Sequence, residues 1–204
     1  MNQIPFTPSI RAVQDRKTAR PRHAEMDFRS RITPDLACFI AAQTSVFLAT
    51  ASAAGQPYLQ HRGGPAGFLH VLSPKQIGFA DFKGNKQYIT LGNLAENPQA
   101  FLFLMDYAHR RRIKLWGKAR VMEDDPGLLQ ALRPEGYAGI PEQAILFDVA
   151  AWDANCPQHI PQRFEAADVA AALAARDARI AELEAELARR RAWPMPGATS
   201  GEPS

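Results

Sequence analysis

Residues 45–149 run as a succession of short apolar segments, each ended by turn residues at roughly 8–12-residue spacing. That rhythm leaves room only for short helices between the strands and dictates an antiparallel barrel or sandwich with peripheral helices. The strand-like segments are 46–50, 58–62, 68–72, 77–82, 100–105, 113–122 and 144–149. Ala54-Gly55-Gln56-Pro57 and Ser73-Pro74-Lys75 supply two of the turns. Gly117 interrupts the longest segment, which predicts a bend or bulge there.

Helices flank these strands. Thr33-Pro34-Asp35 combines a hydroxyl cap, a proline at the first helical position and an acid at the positive end of the dipole. Leu36, Phe39 and Ile40 then share a face. A second helix is expected over 86–96, weakened by Gly92, and a third through Leu128, Leu129 and Leu132.

Residues 1–32 read as an irregular basic arm carrying Arg11, Arg16, Lys17, Arg20, Arg22, Arg29 and Arg31. The barrel domain is placed at 33–163, a C-terminal alanine-rich helix at 164–193 and a flexible tail at 194–204. In the helix, Val169, Leu173, Ile180, Leu183 and Leu187 fit a heptad seam on which Arg176 and Arg190 also fall. It reads as a surface or dimer-stabilising helix.

No stretch approaches ~20 consecutive apolar residues, and charges and prolines interrupt the N-terminus, so neither a membrane span nor a signal peptide is expected. The expected location is the cytoplasm. Cys38 and Cys156 make no disulfide framework. Cys156 and His159 are only half a zinc site, so no metal is expected.

Positive charge and flexible backbone gather at three strand ends: Arg62-Gly63-Gly64-Pro65, Lys83-Gly84-Asn85-Lys86, and Arg110-Arg111-Arg112 with Lys114. Gly63 and Gly64 would let the backbone approach a ligand closely, and Arg62 offers a bidentate fork. Asn85 and Lys86 would sit where a turn enters a helix, so free amides and the helix dipole would favour the same anion. If the triple arginine opens a strand, Arg110 and Arg112 point to one side and Arg111 to the other. A phosphate-bearing cofactor is the leading candidate. Nucleic acid is disfavoured, since the arginine cluster lacks interleaved aromatics.

The blocks FLATASAAGQPYLQHRGGPAGFLHVL and FADFKGNKQYITLGNLAENPQAFLFLMDYAHRRRIKLWGKARV resemble the pyridoxamine 5′-phosphate oxidase-like FMN-binding split barrels, in particular the predicted flavin-nucleotide-binding subgroup. The resemblance covers residues 34–163. It implies a six-stranded antiparallel split β-barrel, mainly β with peripheral helices and here a C-terminal helix, in a homodimer that holds FMN where two subunits meet. Arg62 matches the arginine opening the family's first flavin-contacting strand, and Phe79 and Ala80 match positions lining the flavin. Asn85 and Lys86 fall on the Arg-Lys pair holding the FMN phosphate, with only the lysine kept. Arg112 takes the place of a flavin-contacting glutamine.

Two departures matter. A substrate-touching lysine of true pyridoxamine phosphate oxidases is replaced by the stretch GGPAGF, and their final tryptophan- and arginine-containing strand by AWDANCPQHIPQRF. The implied function is therefore an FMN-dependent oxidoreductase acting on a small molecule or reduced nicotinamide other than pyridoxamine phosphate. No catalytic acid or base stands out. The alternative is a flavin carrier or sensor without turnover.

Overall fold

A computed structural model describes residues 4–19, 21, 27–154 and 156–192, so Arg20, Arg22 and the expected tail lie outside the described residues. The chain divides into two compact units, Met1–Pro161 and Gln162–Ser204.

Seven antiparallel strands make up the first unit: β1 (Ser45–Ala51), β2 (Pro57–Gly63), β3 (His70–Ser73), β4 (Gln76–Phe82), β5 (Gln99–Asp106), β6 (Arg111–Met122) and β7 (Pro141–Ala154). They form one sheet in the order β2-β1-β5-β6-β7-β4-β3. The resemblance implied six strands and the structure has seven, as many as the strand-like segments of the sequence; the shortest, β3, is a four-residue edge strand hairpinned onto the start of β4. β7 also runs longer in both directions than the expected 144–149, because it pairs with β4 at one end and β6 at the other.

Alternation sorts each strand into two faces. Val46 and Leu48 of β1, Leu102 and Leu104 of β5, Ile113 and Leu115 of β6, and Ile145 and Phe147 of β7 point into one core. Helix α1 (Pro8–Arg16) precedes this sheet, and α2 (Pro34–Ala41) adds Leu36, Phe39 and Ile40 to the core. The α2 cap is the expected one, with Thr33 Oγ1 accepting from the Leu36 amide at 3.3 Å. The same signal stands at Thr7-Pro8 and begins α1, where irregular chain was expected. That helix buries no residue, so no apolar stripe announces it.

Helix α3 (Ile89–Glu96) docks through polar groups: Asn93 Nδ2 donates to Thr50 Oγ1 at 3.0 Å, and Thr90 Oγ1 to Gln60 Oε1 at 3.1 Å. Helix α4 (Pro126–Leu132) covers Ala80 and Ala144 with its leucines. The second unit is helix α5 (Ala166–Ala192). Among the described residues, no helix is long and apolar enough to cross a membrane, and no group of three His, Cys, Asp or Glu could hold a metal.

The sheet curls until β2, one edge, meets β4 near the other edge. Arg62 Nε there lies 3.0 Å from Asp81 Oδ1. No ladder joins β2 to β3 or β4, so side chains alone bridge this gap in the barrel. The molecule is a split barrel in this physical sense.

The bulge expected at Gly117 is present. Trp116 pairs with Ala151 but Gly117 pairs with Val149, leaving Ala150 as the extra residue. A Cβ on Gly117 would collide with the Asp148 carbonyl oxygen and come within 2.8 Å of the Phe147 ring. Gly117→Ala is expected to destabilise the fold by roughly 1–3 kcal/mol, as overpacking against fixed backbone does. Urea denaturation checks this, and an unchanged midpoint would contradict it.

Candidate anion-binding site

The split creates a small recess of about 40 Å³. Strand alternation delivers Arg62 to the interior, because it pairs across β1 with the core residue Val46. From the opposite wall β4 delivers Asp81, and β7 delivers its register partner Gln143. Gln143 Nε2 donates to Asp81 Oδ2 at 2.7 Å. Asp81 is only 4% exposed, and its carboxyl is held above its ordinary value. Burial is the largest cause; Arg62 and Gln143 pull in the opposite direction, and neighbouring Glu142 adds to the rise.

Arg62 is close to Asp81 but poorly aligned with it. Its Nε makes an ion pair without a hydrogen bond, and its terminal nitrogens donate none among the described residues. A guanidinium whose side chain is 14% exposed therefore keeps donors available at the recess. Beside it, β3 pairs with β4 only as far as Gly78, so the edge of β4 from Phe79 onward lacks a ladder partner.

Gly84, Asn85 and Lys86 complete the rim, and here the structure corrects the expected helix over 86–96. The helix begins at Ile89, with Tyr88 as its N-cap. Lys86 and Tyr88 both adopt left-handed backbone, at φ 60° and 52°, which breaks any helix through this stretch. Asn85 Oδ1 accepts from the Gln87 amide at 3.1 Å, a local turn that competes with helix. The free helical amides thus lie past Lys86, and the cationic side chain rather than the dipole is what this loop brings. Tyr88 closes the recess by donating its hydroxyl to Glu142 Oε1 at 2.8 Å; that bond holds the Tyr88 pKa above its usual value.

Arg62, Asn85 and Lys86 are thus brought together. The other candidate residues are placed differently. A Cβ on Gly64 would lie 2.7 Å from Phe68, and one on Gly63 would lie 2.9 Å from the His61 ring. Phe79 is fully buried against Phe68, and Ala80 is buried beneath α4.

Arg112 lies on the outer face, pairing with Met105, three strands away from β2. At ~4.8 Å per strand that is roughly 14 Å from the Arg62 end of β2. It lines an apolar cavity of about 830 Å³ with Phe47, Leu59, Phe101 and Phe103, and its Nε is buried without a hydrogen-bond partner. Arg110 is not in the strand but in left-handed backbone before it, and Arg111 stacks over Phe39 at 4.8 Å. Of the triplet, Arg112 is the one that lines this cavity.

Asp81, Tyr88, Glu142 and Gln143 were not picked out from the sequence. One signal pointed to Asp81: an acid inside the apolar run IGFADF must find a buried partner. Tyr88 and Glu142 lie 54 positions apart and carry no local signal.

Residues 32–156 match the family model for pyridoxamine 5′-phosphate oxidase. Similar solved structures include HupZ from Group A Streptococcus, at 16% identity over 65% of this chain and 99% of that one, with a TM-score of 0.48. An FMN-binding protein from Syntrophomonas wolfei is 12% identical over 72% of this chain and 95% of its own, with a TM-score of 0.46. An FAD binding protein from Mycobacterium smegmatis is 13% identical over 62% and 97%, with a TM-score of 0.42. No protein of curated function matches the sequence. The family match spans more than half of the chain and contains every strand, and the chain therefore belongs to the pyridoxamine 5′-phosphate oxidase family.

Proposed function

We propose that this chain binds FMN with its phosphate at the recess between β2 and β4, and serves as a flavin-dependent oxidoreductase acting on a small molecule. The observation that carries the reading is Arg62, a largely buried guanidinium with unspent donors facing Lys86 across a recess of phosphate-group size. Family membership supports the same cofactor.

The residues present fit the group. Lys86 and Arg62 would neutralise the phosphate, Lys86 as a mobile point charge and Arg62 as a planar fork. Gly84 and Asn85 would bring turn backbone to the same anion. Bound FMN would supply the redox chemistry, with the chain providing position and charge.

A homodimer is part of the proposal. The outer face of β1, β5 and β6 carries Phe47, Phe101, Phe103, Met105 and Trp116, an apolar surface of the kind that a second copy covers. Arg112 stands on this face with an unsatisfied Nε, remote from the recess of its own chain. It would serve the flavin held by the second copy, favouring the negative charge of the reduced ring. A reduced nicotinamide or small organic donor is the proposed electron source. A second reading is a flavin carrier without turnover. Anaerobic NAD(P)H separates the two, since only the enzyme bleaches and regains colour in air.

Purified protein is expected to be yellow or to become so with FMN. Lys86→Ala is expected to weaken FMN binding by roughly 1–3 kcal/mol, the scale of a lost charge-assisted hydrogen bond. A fluorescence titration with unchanged affinity would remove Lys86 from the site.

Binding is also expected to take up protons. A phosphate drawing on Arg62 leaves Asp81 buried with less compensation, so the Asp81 pKa, already raised above 3.8, rises further in the complex. Affinity then falls as pH increases through the window between the free and bound Asp81 pKa values. Asp81→Asn removes this dependence. Calorimetry in two buffers of different ionisation enthalpy should show proton uptake in wild type exceeding that of Asp81→Asn; equal uptake would contradict the coupling.

A further inference from the structure

We propose that helix α5 is a self-association element, and that two copies of the chain pair these helices parallel and in register as a short two-stranded coiled coil. This inference stands apart from the flavin reading and rests on α5 alone.

Val169, Leu173, Ile180, Leu183 and Leu187 are all between 44% and 53% exposed. With Arg176 and Arg190 they form an unbroken alternation of four- and three-residue steps along a helix of 27 residues. An average step of 3.5 residues keeps a seam facing one partner helix, as in left-handed coiled coils. At ~1.5 Å per residue the helix is roughly 40 Å long, enough for several layers of contact.

Charge decides the occupant. With Leu173, Ile180 and Leu187 at the a positions, Arg179 and Glu186 fall at g, and Asp177, Glu184 and Arg191 at e. In a parallel, in-register pair, each g residue faces the e residue five positions later on the other helix. Arg179 then meets Glu184 of the second copy, and Glu186 meets Arg191 of the second copy. Two-fold symmetry doubles both contacts and sets no like charges opposite one another at these positions. The flank is thus complementary to itself, which singles out another α5 rather than an unrelated helix.

Arg176 and Arg190 fall at d positions. They weaken the seam and hold the strands to a reversible association. Arg190 is already held by Glu186 of its own helix, and Arg176 has Asp177 of the second copy beside it in this register. Within α5, Arg179 bonds Glu182 at 2.9 Å and exchanges that exposed contact for Glu184 of the second copy on pairing.

Disulfide trapping tests the register in the full-length chain. On a Cys38→Ser, Cys156→Ser background, Leu183→Cys should form a covalent dimer under mild oxidation, because the d positions meet their own counterparts only in the parallel arrangement. Ala178→Cys, on the outward face, should stay monomeric on the same non-reducing gel. Arg179→Glu, added to Leu183→Cys, sets glutamate against glutamate and should lower the trapping yield about tenfold; adding Glu184→Arg as well should restore it. Trapping of Leu183→Cys no better than Ala178→Cys, with helicity intact by circular dichroism, would overturn the proposal. So would trapping that ignores the charge changes.

Discussion

The first unit is a barrel held closed at one place by a charge pair. Everywhere else around the sheet, backbone ladders carry one strand to the next, but between β2 and β4 the contact is the Arg62 guanidinium against the Asp81 carboxylate. An ion pair in this position is a poor way to gain stability, since desolvating two charges offsets most of their attraction, and apolar residues of similar size would close the gap as well or better. Its geometry is also imperfect: Nε and Oδ1 are near each other without an aligned hydrogen bond. Such a pair is easily divided between its own partner and an incoming anion. Gln143 steadies Asp81 from β7, so the carboxylate side is built to tolerate a weaker grip from Arg62.

The split has a second consequence. Where β3 stops at Gly78, β4 continues with no ladder partner on that edge, and Phe79, Ala80 and Asp81 are buried there. This stretch adjoins the cationic recess, which would give the proposed ligand its charged anchor. The outward apolar face and α5 are further surfaces that a lone chain leaves uncovered, and they arise independently, one from strand alternation and the other from heptad spacing.

Local signals in the sequence were read well. The alternating apolar runs gave β1, β4, β5 and β6 to within a residue or two, and Gly117 announced the bulge because a Cβ cannot fit there. Thr33-Pro34 announced α2 through a cap that depends on neighbours three residues apart. Longer-range features were not legible. Nothing near Arg62 tells that Asp81, on a strand far along the chain, would be its partner, and nothing near Arg112 tells that it would emerge on the opposite face. The stretch 86–88 misled because Lys86 and Gln87 are good helix formers, whereas two left-handed residues and the Asn85 side chain settle its backbone. At Gly64 the Phe68 side chain occupies the space a Cβ would need, a contact that the sequence does not announce.

At the centre of this account stands phosphate recognition at the split, so the most direct measurement compares FMN with riboflavin, which has the same ring without the phosphate. Paired fluorescence titrations of the wild-type chain should show FMN binding markedly tighter than riboflavin, with that advantage shrinking as salt is raised. Equal affinities for the two, or no binding of either, would contradict it.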